Sequence, residues 1–197
     1  MSAVIYLEGG GATSALHARC QEGFHKLLDH MGFAGRKPRL VACGGREQAF
    51  DRFKTALKLA QYDYIGLWID SEDPVSATDE AWGYLAKRDR WARPEVASND
   101  QVLFMVTCME TWIAADPATL EMHYGKEFHK ATLPPLQNLE SCSREDVQDR
   151  LERATGSCRN AYRKGKRSFV VLGLLSPDAL RVLPSFRRVE GILKARL

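Results

Sequence analysis

The chain has 197 residues, 45% hydrophobic and 27% charged, with a formal net charge of +3 at pH 7. This is an ordinary globular composition, long enough for one full hydrophobic core. No apolar run nears the roughly 20 residues that cross a membrane, and no basic-then-apolar leader opens the chain. The scattered cysteines exclude a disulfide framework, and the scattered histidines give no paired-ligand zinc spacing. The expectation is a cytoplasmic protein with no membrane partner.

The first strand is expected over residues 3–7, an apolar run closed by Glu8. Gly9, Gly10 and Gly11 follow, with Thr13 as the N-cap of an amphipathic helix that presents Leu16, Cys20, Phe24, Leu27, Leu28 and Met31. After Pro38 come a short strand over 39–43 and a second helix opened by Gly44-Gly45-Arg46, with Phe50, Phe53, Leu57 and Ala60 on one side. A third strand over 64–69 runs into Asp70-Ser-Glu-Asp73, and a helix is expected over 78–86. The fourth strand spans 102–106, and Glu110 opens the next helix. Strand–helix alternation predicts an α/β core over 1–115 with a mostly parallel sheet. Strand signals then fade, so residues 116–197 are expected to form a mainly helical C-terminal layer of the same domain. Within it Ser143 caps a helix and Ser176-Pro-Asp178 starts another, while residues 168–175 fit either a strand or a buried helix.

Three of the predicted strands end in acid. In an open α/β sheet, residues just past the carboxyl ends of parallel strands gather in one crevice. Glu8, Asp70, Glu72 and Glu110 are therefore expected to converge. Asp70 and Glu72 are alternate residues, so on an extended strand end they point to the same side. Clustered carboxylates repel unless a cation sits among them, and an all-oxygen ligand set suits Mg²⁺ or Mn²⁺, one ion or two. A carboxylate at the mouth of the Gly9–Gly11 turn argues against unaided binding of a pyrophosphate. Ser14 also breaks the dinucleotide fingerprint, and no Walker A sequence occurs.

Charge is unevenly spread. Residues 1–140 hold 15 Lys/Arg against 19 Asp/Glu, whereas residues 141–197 hold 13 against 6. An acidic cluster in one part and a basic surplus in the other suit metal-dependent chemistry on a polyanion, DNA or RNA. Arg19 and Arg46, near the two Gly-rich turns, are candidate phosphate ligands. Arg163, Lys166 and Arg167 extend a basic segment in which Lys164 is the candidate for stabilising developing charge.

The ordered motifs Leu7-Glu8-Gly9, Asp70-Ser-Glu72, Met109-Glu-Thr-Trp112 and Tyr162-Arg-Lys164 resemble a bacterial Toprim-like family of unknown function. The chain is similar to its RloB-like group and, more distantly, to the Toprim half of the overcoming-lysogenisation-defect nucleases. The resemblance implies a Toprim-like, Rossmannoid fold in which Glu8 and Asp70 bind metal. Glu72 stands where the family usually has a second Asp, and Glu110 and Lys164 match the further Glu and Lys of a two-metal site. It further implies an ATPase partner and a place in phage defence. The expected function is Mg²⁺-dependent cleavage of a nucleic-acid phosphodiester. The alternatives are a non-catalytic subunit that binds nucleic acid or an ATPase, and a metal-dependent nucleotidyl or phosphoryl transferase.

Overall fold

A computed structural model describes residues 2–76 and 78–197, apart from the side chains of Asp79 and Lys166. Four parallel strands, β1 (Ala3–Gly10), β2 (Arg39–Gly44), β3 (Tyr64–Asp70) and β4 (Val102–Met105), form one sheet in the order β2-β1-β3-β4. The strands read as near-continuous apolar runs because both faces of a parallel sheet are buried. Their period of two divides the core. Ile5, Leu7, Leu40, Trp68, Leu103 and Met105 face one cluster, and Val4, Ile65, Leu67, Ile69 and Phe104 face the other.

The second face is covered by α2 (Arg46–Leu59) and α3 (Ala81–Arg88) through Phe50, Phe53, Leu57, Trp82 and Leu85. The first is covered by α1 (Ser14–His30) and by helices from the rest of the chain. These are α4 (Met109–Ala114), α5 (Pro117–Tyr124), α6 (Arg144–Thr155), α7 (Lys166–Leu172), α8 (Pro177–Leu180) and α9 (Pro184–Arg196). Their buried residues join the α1 side of the sheet in one apolar cluster, with the Trp112 ring edge-on to both Trp68 and Phe186. The architecture is α/β and Rossmann-like, with an all-parallel sheet flanked by helices. No helix among the described residues is long and apolar enough to cross a membrane.

Local signals account for most boundaries. Thr13 accepts from the Leu16 amide and starts α1, and Ser143 accepts from the Asp146 amide at 3.1 Å to start α6. One open alternative is decided and three expectations shift. Residues 168–175 lie in α7 and the turn after it, with no strand there. The third helix starts with a 3₁₀ turn, Thr78–Glu80, before α3 proper. Leu16 is only half-buried, and Ala60 terminates α2 in a left-handed conformation, so neither belongs to its helix's packed stripe. Helix α7 crosses α1 so closely that a Cβ at Gly23 would collide with the Phe169 carbonyl. That contact leaves room only for glycine.

Candidate metal centre

With β1 between β2 and β3, strand order reverses at the β1/β3 junction, the point where ligands of open α/β sheets bind. Glu8 sits near the end of β1 and Asp70 ends β3, so these two carboxylates flank the reversal. Beyond the strand ends lies a cavity of about 370 Å³, lined by Gly9–Gly11, Leu16 and Gly44 on one side. Asp70, Met109, Glu110, Arg144, Lys164 and Phe169 line the other. Gly44 has φ +83°, and a side chain there would strike the Gly11 carbonyl, so glycine lets the β1 and β2 loops close against each other.

One ligand atom from each of Glu8, Asp70 and Glu72 lies within 4.8 Å of the others. Opposite oxygens around a six-coordinate Mg²⁺ are roughly 4.2 Å apart, so this spread is close to that of a hard-cation ligand set. Asp70 Oδ1 is buried and accepts no hydrogen bond from the described residues. An unpartnered buried carboxylate oxygen is costly. Burial, then the nearby Glu8 and Glu110, push the Asp70 carboxyl well above its ordinary range, against weaker opposing pulls from Arg144 and Lys164. The three carboxylates fit a divalent cation in number, spacing and donor chemistry.

Glu72 reaches the cluster by a route the alternation rule did not anticipate. The strand stops at Asp70, and Glu72 adopts φ +73°, a left-handed conformation. Its amide donates to the Thr107 carbonyl at 2.9 Å, and the Thr107 amide donates to Ser71 Oγ at 2.7 Å. Thr107 itself has φ +63°, a rare state for a β-branched residue. Two such residues, each costing about 1–3 kcal/mol, are held by these cross-bonds at the mouth of the crevice. Asp73 serves the turn instead: its carbonyl accepts from Ser71 Oγ, and its carboxylate pairs with Arg88.

Glu8, Glu72 and Glu110 each have their own support. Arg46 Nη1 donates to Glu8 at 3.1 Å and to the Asp70 carbonyl, while its Nε and Nη2 grip Asp89. The guanidinium lies 5.0 Å from the Trp91 ring, which stacks on Phe50. Burial raises the Asp89 carboxyl, but Arg46 and Arg88 outweigh it and hold that group below the ordinary carboxylate value. Arg144, the first residue of α6, forms an ion pair with Glu72. Glu110 is fully buried and, among the described residues, takes only neutral donors: the Tyr162 hydroxyl at 2.6 Å and Gln148 Nε2 at 3.2 Å. It lines the cavity but stands outside the three-residue cluster.

Lys164 lines the same cavity. Arg46 does not face it as a free phosphate ligand, because its donors are taken by Glu8, Asp70 and Asp89. Arg19 lines a separate pocket with Glu22, Lys26 and Phe169. Arg163 is exposed, Arg167 donates to the Ala161 carbonyl, and the Lys166 side chain lies outside the described part. Sequence reasoning missed Arg144, Gln148 and Asp89. Arg144 stands within the Ser143-to-Asp146 capping segment, whose helix-start signal gives no hint of what the arginine touches.

A family model, Domain of unknown function (DUF4276), matches residues 7–194. The chain belongs to this family. Neither a curated protein nor a solved structure matches it. The DUF4276 match runs through every residue of the crevice, from Glu8 to Phe169.

Proposed function

We propose that this protein is a Mg²⁺- or Mn²⁺-dependent nuclease that cleaves a nucleic-acid phosphodiester in the β1/β3 crevice. The reading rests above all on the convergence of Glu8, Asp70 and Glu72, with one Asp70 oxygen buried and unpartnered. These three residues hold the ion, and Glu110 is the carboxylate available for a second one. A bound divalent cation supplies Lewis acidity toward a phosphoryl oxygen and acidifies a water at neutral pH. Lys164 offsets charge that builds on the phosphate. Arg46 keeps Glu8 in place, and Asp89 keeps Arg46 in place. The Toprim-like resemblance of the motifs supports the same reading and adds an ATPase as partner.

A second reading has its own support. Glu8 and Glu72 each already face an arginine. A cluster neutralised in this way suits a non-catalytic subunit that binds nucleic acid or an ATPase. Mn²⁺ calorimetry on wild type and Asp70→Asn separates the two. Binding to wild type that disappears in the variant, together with Mn²⁺-dependent cleavage lost in the variant, is the expected result. No Mn²⁺ binding to wild type, with or without nucleic acid, favours the subunit.

A further inference from the structure

A second pocket, of about 320 Å³, opens between β2 and the later turns of α2, away from the carboxylate crevice. It exists because β2 is the edge strand of the sheet. Its walls carry Tyr6, Arg39, Arg52, Thr55 and Tyr62. Arg39 Nη1 donates to the Tyr62 hydroxyl at 3.0 Å, which fixes a guanidinium against a tyrosine. Among the described residues neither Arg39 nor Arg52 has a carboxylate partner, whereas Arg46, Arg88, Arg144, Arg150 and Arg181 all do. Both arginines act on the Tyr6 phenol. Burial and Tyr62 raise its pKa, while Arg39 and Arg52 pull it back.

Two guanidinium groups on one rim without a carboxylate between them call for an anion, and their planar donors match phosphate oxygens. Two tyrosines beside them supply faces on which a base stacks, the combination that single-strand binders use. The volume is at the low end of ligand pockets, about 300–1,000 Å³, and suits one small ligand. Tyr6 lies two residues before Glu8 on the same strand, about 7 Å along the β1 backbone. We propose that this pocket binds one nucleotide unit, with its phosphate on Arg39 and Arg52 and its base against Tyr6 and Tyr62. The unit belongs to a single strand whose neighbouring nucleotides extend along the sheet edge.

The test is fluorescence anisotropy of a labelled dT₈ oligonucleotide in EDTA, with AMP as competitor. In EDTA the carboxylate crevice is left negative and repels the oligonucleotide, so binding reads the edge pocket. Binding is expected in wild type, falling at least tenfold in Arg39→Ala/Arg52→Ala and weakening with salt. Competition by AMP at comparable concentration overturns the single-strand assignment in favour of a free nucleotide. Equal binding by the double variant, or none by wild type, overturns the site. Should the double variant fail to fold, Arg39→Lys/Arg52→Lys is measured instead. A threefold or greater loss is expected because the paired donors are gone, and an unchanged affinity overturns the proposal.

Discussion

The carboxylates of the crevice are held in two different ways. Glu8 and Glu72 meet arginines, and Arg46 is itself clamped by Asp89. Glu110 is wholly buried, yet its donors are a tyrosine hydroxyl and a glutamine amide. A charge offset by guanidinium tolerates partial exposure and needs no cation. A charge satisfied only by neutral dipoles keeps its full negative field directed at its surroundings. Asp70 sits between the two arrangements and has neither, with one oxygen unpartnered. The ion pairs make the cluster stable enough to fold. The neutral-donor side keeps it attractive to a cation.

The largest effect expected from breaking this contrast is at Arg46. The Arg46 side chain is 13% exposed and that of Asp89 7%, so Arg46→Ala strands Glu8 and leaves Asp89 to Arg88 alone in a largely dry place. A loss of about 3–5 kcal/mol is expected in urea unfolding. Tyr162→Phe comes next. It deletes the 2.6 Å hydrogen bond to a buried carboxylate, along with the hydroxyl's contact to Ser168, for an expected loss of about 1.5–3 kcal/mol. A loss under 0.5 kcal/mol in that variant would mean that Glu110 is held by Gln148 alone.

The smallest effect is a dependence on pH, and its sign differs between the two arms. The Asp70 carboxyl is raised above its ordinary 3.8. Its contribution to stability is therefore full below 3.8 and lost as pH rises through the raised value. The Asp89 carboxyl is depressed, so its contribution is present above 3.8 and is lost as pH falls through the lower value. Thermal melts in EDTA from pH 4 to 8 are expected to show Asp70→Asn gaining on wild type as pH rises. Parallel curves would place the Asp70 proton elsewhere.

The strand ends were legible because a fully buried parallel strand leaves a plain mark, an apolar run closed by acid. That mark pointed to Glu8 and Asp70 and to a mostly parallel core, which the structure makes all-parallel. Glu72 was found for an incomplete reason. Its position follows from a left-handed turn locked to Thr107, a pairing between chain segments 35 residues apart that local pattern does not carry. Arg144, Gln148 and Tyr162 lie on the C-terminal helices and the loop before α7, where composition shows only a basic surplus. What they touch depends on how those helices dock. The ambiguity over 168–175 has the same origin: a short apolar run suits either element, and packing against Gly23 of α1 decides for the helix.

That packing has a further meaning during synthesis. The face of the sheet beneath α1 is finished by α7 and α9, the last of which ends at Arg196. A growing chain on the ribosome thus carries its strand-end acids long before Arg144, Tyr162 and Lys164 have emerged to complete the crevice. Until then the α1 side of the core is only partly covered. Assembly waits for the final helix.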